Sequence, residues 1–270
     1  MASQSFAHGN YSHTQKKARV KGGHTPRDRA RHGLSPSFLT DGPAVEQVVE
    51  AARPTGLILD PRSGTGALTA ALARTGAEVV GYETDPLLAV KLKARTGFEV
   101  VKGDPTTARS PREPFAVVGN ISFPDTPKII DWCWRAPSLT SATLVTPWEY
   151  ARTQSGDSGH WSQITVQSWP WFTWEQLGVI DRENFRPKPS VGSAILRIER
   201  RPEPLVTEES VHQDVVQLGF SGIGGSVHAS LSTRYGGVDS AFDGAGIAHD
   251  IAAARVHPDQ WITLAGLLIR

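Results

Sequence analysis

Hydrophobic and polar positions along the chain alternate between a helical period and short unbroken apolar runs. In DGPAVEQVVEAAR (41–53), Val45, Val48, Val49 and Ala52 recur at helical spacing, with Asp41 placed to cap and Pro43 in the first turn, which predicts a helix. GLILD (56–60) is a run of buried-strand type; the turn PRSGTG follows, and ALTAALART reads as a helix stopped by Gly76. AEVVGYE (77–83) predicts a second strand, DPLLAVKLKART a second helix, FEVVKGD (98–104) a third strand and PFAVVGN (114–120) a fourth; SATLVTPW (141–148) continues the pattern. Strands alternating with helices predict an α/β domain with a parallel sheet wound through right-handed crossovers.

The texture changes after residue 160. WSQITVQSWPWFTWEQLGVI (161–180), rich in Trp and β-branched residues, predicts strand, and VGSAILRIERR (191–201) alternates as a later strand would. The Trp cluster fits buried strand packing better than an exposed stacking surface. From Glu203 onward, VTEESVHQDVVQLGF, SVHASLSTRY and HPDQWITLAGLLI read as helices, so a small helical C-terminal domain is expected over 204–270. GIGG (222–225) is read as a loop, because no Lys-Ser/Thr follows it as in a phosphate cradle.

Charge changes the picture at the N-terminus. Residues 1–35 hold Lys16, Lys17, Arg19, Lys21, Arg27, Arg29 and Arg31 against the single acid Asp28, a net +6, while the remaining 21 bases and 26 acids give −5. A basic arm over residues 1–33 is a candidate nucleic-acid contact, although on charge alone a solvated tail fits as well. The chain has 270 residues, 39% of them apolar and 20% charged, with no apolar run long enough to span a membrane and no apolar signal region, so a soluble cytoplasmic protein is expected. The one cysteine, Cys133 between Trp132 and Trp134, excludes an internal disulfide and reads as core filler. No metal is expected.

Candidate chemistry gathers at the ends of the predicted strands, where open α/β sheets bind ligands. Asp60-Pro-Arg-Ser-Gly-Thr-Gly66 follows the first strand, and Gly64 and Gly66 allow backbone to pass close to a ligand. Glu83 ends the second strand, placed to grip the hydroxyls of a ribose; Asp104 ends the third, suited to the amino group of an adenine. Ribose and adenine contacts without a phosphate-binding Lys fit S-adenosylmethionine, though NAD shares two of the three. Asn120-Ile121-Ser122-Phe123 then ends the fourth strand with an amide and a ring, neither of which titrates near neutral pH. If the Asn120 side-chain oxygen and the Ile121 carbonyl both accept from an adenine amino group, its lone pair is freed toward a methyl sulfonium while Phe123 stacks on the base. No strong base is needed.

These segments together resemble the erythromycin-resistance-type ribosomal RNA adenine N6-methyltransferases and, more distantly, the small-subunit rRNA adenine dimethyltransferases. LSPSFL (34–39) resembles a family LSQNFL segment, Asp60–Gly66 its cofactor loop, Asn120–Phe123 its N-I-P-[FY] motif, and FRPKPSVGSAILRIERR a later family pattern; GFSGIGGSVHASL and HPDQW echo its C-terminal helices. The resemblance implies a Rossmann-like S-adenosylmethionine-dependent domain over 34–203 that methylates N6 of one adenine in 23S rRNA, before full subunit assembly, giving macrolide, lincosamide and streptogramin B resistance. It implies a monomer, and cofactor contacts from Phe38, Leu39, Asp60, Ser63, Gly64, Gly66, Glu83, Thr84, Asp104, Pro105 and Asn120, with Asn120, Ile121, Ser122 and Phe123 at the reacting centre. The departures are Pro36 and Ser37 for Gln and Asn, Arg62 for Gly, and Ser122 for Pro. Residues 202–270 carry three Arg against eight acids, a net −5 that would repel phosphates. Methylation of another RNA or DNA adenine, or RNA binding without catalysis, are the other readings the residues allow.

Overall fold

The structure, a computed structural model, describes residues 37–268. A two-residue strand, β1 (Phe38–Leu39), seats the start of the described chain beside the main sheet. Strands β2 (Leu57–Asp60), β3 (Glu78–Glu83), β4 (Glu99–Lys102), β5 (Phe115–Asn120) and β6 (Leu139–Pro147) pair in parallel. Three later strands follow: β7 (Phe172–Ile180), β8 (Phe185–Arg186) and β9 (Ser193–Arg200). β9 lies antiparallel to β6 and β7 antiparallel to β9, which gives a seven-stranded sheet in the order β4-β3-β2-β5-β6-β9-β7. β8 pairs with β1 instead. The inner strands are apolar on both faces: in β5, Phe115 to Val118 are all buried, as burial between two helical layers demands.

The helices on one face include α1 (Gly42–Ala52) and α2 (Ala67–Ala73), whose Val45, Val48, Val49, Leu68 and Leu72 pack with Ile58 and Val118. Asp41 caps α1 through Oδ1, which accepts from the Ala44 N–H at 3.0 Å. At the other end of α1 the buried Arg197 donates to the Ala51 and Ala52 carbonyls at 3.0 and 2.9 Å and to Thr143, tying the helix to the sheet. α3 (Pro86–Thr96) is capped by Asp85 and closed by Gly97. On the opposite face α4 (Thr126–Arg135) buries Ile129, Ile130 and Cys133 against Leu59, Val117 and Leu144. Cys133 is core, and burial pushes its thiol pKa far up.

The strand expected over 161–180 is corrected in its first half. After α5 (Trp148–Ser155), residues Gln163–Ser168 form a short helix, α6, because the Ser162 hydroxyl accepts from the Thr165 N–H at 3.1 Å and Gln154 holds both hydroxyls. That local hydrogen bonding outweighs the β-preference of Ile164, Thr165 and Val166; strand begins only at Phe172. Trp174 is buried, and Trp161, Trp169 and Trp171 are half-buried in core clusters, so the cluster serves packing.

The segments after Arg201 form α7 (Glu209–Phe220), α8 (Val227–Ser232), α9 (Val238–Ala245) and α10 (Pro258–Leu268) around Val215, Val216, Leu231, Phe242 and Trp261, with Val166 of α6 in the same cluster. α9 is not among the helices expected from sequence, because VDSAFDGA is short and bounded by glycine. Gly222–Gly225 is a turn, as expected.

Candidate active site

Strand order reverses between β2 and β5, so their C-terminal ends flank the crevice where doubly wound sheets bind ligands. The turn after β2 is fixed from below. Thr69 of α2 donates to Asp60 Oδ2 at 2.7 Å, the Arg62 N–H reaches Asp60 Oδ1 at 3.3 Å, and the Ser63 N–H donates to the Tyr82 carbonyl at 2.9 Å. Gly66 then opens α2. Burial pushes the Asp60 pKa up to about 6, against the hydrogen bonds from Thr69, Arg62 and Ser63 that pull it down, with the charge of Glu83 adding to the rise.

At Gly64, φ is +53° and an added Cβ would stand 2.7 Å from Phe38 Cδ1. The turn therefore presses bare backbone against the ring of β1, and only glycine fits. Gly119 of β5 serves a second close approach, since a Cβ there would meet Pro61 Cδ at 2.8 Å. The resulting cleft is lined by Phe38, Leu39, Asp60, Ser63, Asn120 and, from the departures, Arg62.

Glu83 and Asp104 do not line that cleft; Asp104 is tied to its wall through Arg62, and Glu83 holds the turn beside it through the Gly64 N–H. Glu83 is buried at the end of β3, where Oε2 accepts from the Gly64 N–H at 2.9 Å and Oε1 from the Asp85 N–H at 2.8 Å. Exposed Thr84 stands 3.5 Å from the same carboxylate. Asp104 Oδ1 accepts from the N–H and hydroxyl of Thr106, and Oδ2 faces Lys128 Nζ at 2.8 Å and Arg62 Nη2 at 3.3 Å; Pro105 is buried beside it. Burial alone would raise the Asp104 pKa, but the bonds from Lys128 and Thr106 and the Arg62 charge hold it well below the usual carboxylate range.

Arg62 also reaches Asp125 Oδ2 through Nε at 3.2 Å, and the Ser122 hydroxyl donates to that same oxygen at 2.6 Å. The two unusual residues, Arg62 and Ser122, thus meet on one carboxylate. The guanidinium ties the turn after β2 to the turn after β5. Asp125 and Lys128 were missed from sequence; the pairing of Arg62 with residues 42 and 63 positions away leaves no local signal.

The turn after β5 presents the amide. Asn120 Nδ2 donates to the Ser37 carbonyl at 2.7 Å, which fixes the side chain's orientation and makes Oδ1 its other, accepting end. The substitution of Ser37 for the family Asn leaves this contact intact because it uses main chain. The Ile121 N–H donates to the Val145 carbonyl at 3.2 Å and its side chain is buried. Phe123 is half-buried and contacts no other ring among the described residues. The arm residues Lys16, Lys17, Arg19, Lys21, Arg27, Arg29 and Arg31, with Pro36, lie outside the described residues.

A mixed sheet whose strand order reverses at a glycine turn, with carboxylates after two successive strands and an amide–aromatic turn opposite, is the Rossmann-like arrangement of a nucleoside-cofactor enzyme. The model of the ribosomal RNA adenine dimethylase family matches residues 27–270, and the chain belongs to that family. It is 45% identical over 261 residues to the rRNA adenine N-6-methyltransferase of Aeromicrobium erythreum, covering 93% of this chain and 77% of that one. It is 32% identical over 220 residues to the mycinamicin-resistance protein MyrB of Micromonospora griseorubida, covering 79% and 70%. The crystal structure of the 23S rRNA methyltransferase ErmE is similar with a TM-score of 0.80 at 40% identity, covering 86% of this chain and 100% of that one.

Proposed function

We propose that this protein is an S-adenosylmethionine-dependent rRNA (adenine-N6)-methyltransferase that modifies one adenine of 23S rRNA and so confers macrolide, lincosamide and streptogramin B resistance. The observation that carries this reading is the Asn120 amide, whose N–H end is taken by the Ser37 carbonyl beside the cleft lined by Phe38, Asp60 and Ser63. That leaves Oδ1 to accept from the amino group of a target adenine. With the Ile121 carbonyl as second acceptor, the nitrogen is drawn toward tetrahedral geometry and its lone pair is released from the ring. Phe123 supplies the stacking face for a base presented single-stranded or flipped. The cofactor supplies an electrophilic methyl group.

The cofactor lies, in this reading, on the Ser63–Gly66 turn against Phe38 and Leu39, with Glu83 and Thr84 at the ribose, Asp104 and Pro105 at the adenine, and the Asp60 carboxylate toward the methionine ammonium. An adenine amino group at Asp104 competes with Arg62 and Lys128, which both face Oδ2, so cofactor affinity depends on how readily these two cations give way, Arg62 keeping its bond to Asp125. The basic arm and the face of the sheet domain carry RNA binding, because the C-terminal region is acidic. Among the described residues no helix is long and apolar enough to cross a membrane. An rRNA substrate places the protein in the cytoplasm, acting in this reading as a monomer on rRNA before full subunit assembly.

Primer extension on rRNA from expressing cells tests the activity. A stop at one large-subunit adenine together with macrolide resistance is expected; unmodified large-subunit rRNA beside a methylated alternative substrate would overturn it. Removal of residues 1–33 should weaken RNA binding and flatten its salt dependence by up to about 5 in log–log slope, at ~0.7 for each single-strand phosphate that the arm's bases neutralise. An unchanged slope would make the arm irrelevant to RNA.

A further inference from the structure

The chemistry-bearing residues of the C-terminal helices have no part in the site above, and three of them converge. His228 stands in the first turn of α8, Asp239 in the first turn of α9, and His249 in the segment after α9. We propose that His228, Asp239 and His249 bind one divalent transition-metal ion of the zinc class, joining α8, α9 and the following turn.

The ligand atoms lie within 4.8 Å of one another. Asp239 Oδ1 is the shared point, 2.7 Å from His228 Nε2 and 3.7 Å from His249 Nδ1. In a tetrahedral site with metal–nitrogen bonds of ~2.0–2.1 Å, ligand atoms sit ~3.3 Å apart, so a cation would open the His228–Asp239 hydrogen bond and draw His249 inward, movements open to Asp239 and His249 because both are exposed. Two further observations support the site. Both imidazoles meet Phe242 edge-on, at 5.1 and 5.6 Å, and Phe242 is fully buried, so the rings rest on a fixed base; they now lie face to face at 4.7 Å and 14°, and one ring must turn to bring both in-plane lone pairs onto a single ion. The second nitrogen of His249, Nε2, faces Asp243 Oδ1 at 3.5 Å. A carboxylate behind a liganding imidazole is the arrangement that fixes ring orientation and basicity in metal sites.

Two imidazoles and one carboxylate favour zinc, nickel or copper over magnesium or calcium, which take oxygen ligands. Separations of 11 residues between His228 and Asp239 and 10 between Asp239 and His249 match no metal motif, so the site carries no signature along the chain. None of these residues lines the cofactor cleft, so a bound ion would brace the C-terminal helices and leave methyl transfer unaltered.

Titration of the chelator-treated full chain with zinc by calorimetry, and with cobalt(II) by visible absorbance, tests the site. The expected result is one ion per chain at micromolar affinity, with a cobalt d–d band and a rise of several degrees in Tm. The His228→Ala/His249→Ala double variant should bind at least tenfold more weakly and show no rise in Tm. Asp239→Asn, which keeps the size of the side chain, should do so too if the double variant folds poorly. Binding that is unchanged in these variants would place the ion elsewhere, for instance on the arm histidines His8, His13, His24 and His32, and overturn the proposal; so would the absence of zinc and cobalt binding in the wild-type chain.

Discussion

The turns after β2 and β5 face each other across one cleft and are held in opposite ways. The first is set by buried contacts: Asp60 to Thr69, Ser63 to the Tyr82 carbonyl, Glu83 to the Gly64 N–H, and a glycine wedged against Phe38. The second is anchored in the core only at Ile121 and otherwise held by side chains at the rim, with Ser122 and Arg62 on Asp125, and Asn120 reaching a main-chain carbonyl 83 residues away. The turn to which the proposed function gives the cofactor is built into the core, where rearrangement is costly. The turn to which it gives the target base is held by part-buried polar contacts at the rim that can adjust. Arg62 belongs to both, which makes it the point at which the two are coupled.

The largest effect should come from the rim turn. Asn120→Ala should slow methyl transfer by about 10²–10³-fold, the scale of removing one preorganised polar contact to the reacting group, with cofactor affinity within a few-fold by calorimetry. Comparable turnover would remove the amide from the reaction.

The buried turn should show itself in pH dependence. The folded Asp60 pKa of about 6 lies above the ordinary carboxylate value, so the folded state binds the proton more tightly. The stability this contributes is complete below pH ~4 and lost as pH rises through about 6, at most ~3 kcal/mol. Asp60→Asn should abolish that decline in urea unfolding followed from pH 4.5 to 7.5, and should weaken S-adenosylmethionine binding at neutral pH by removing the carboxylate. A decline of the same size in the variant would assign it to another group.

Gly64→Ala combines a positive φ, costing ~1–2 kcal/mol, with the contact to Phe38, and should weaken cofactor binding about tenfold. Equal affinity would show that the turn is looser than its contacts imply. The smallest effects belong to the link: Arg62→Gly should tighten cofactor binding a few-fold by leaving Lys128 as the one cation on Asp104, and Ser122→Pro should slow transfer a few-fold. Because both residues meet Asp125 Oδ2, the double variant should show a coupling of ~0.5–1 kcal/mol; additivity would break the link between the turns.

The sheet and the two turns at its switch point were legible because each is written in consecutive residues: apolar runs such as PFAVVGN, glycines at fixed offsets, a polar residue ending each strand. What escaped depends on distance along the chain. The pairing of Phe38 with Arg186, the seat of Asn120 on Ser37 and the bridge from Arg62 to Asp104 and Asp125 all join segments tens of residues apart. Arg62 reads in sequence as a defect in a glycine loop; its partners show it to be part of the wall. In α6 the signal was local but misleading, since Ser162 and Gln154 supply a cap that composition hides.

A crystal structure with S-adenosylhomocysteine and adenosine monophosphate in the cleft tests the central assignment most directly. The expected result is the adenine N6 within about 3 Å of Asn120 Oδ1, with Nδ2 still on the Ser37 carbonyl and the base against Phe123. An amide turned to present its nitrogen to the base, or a base seated away from Asn120, would contradict it.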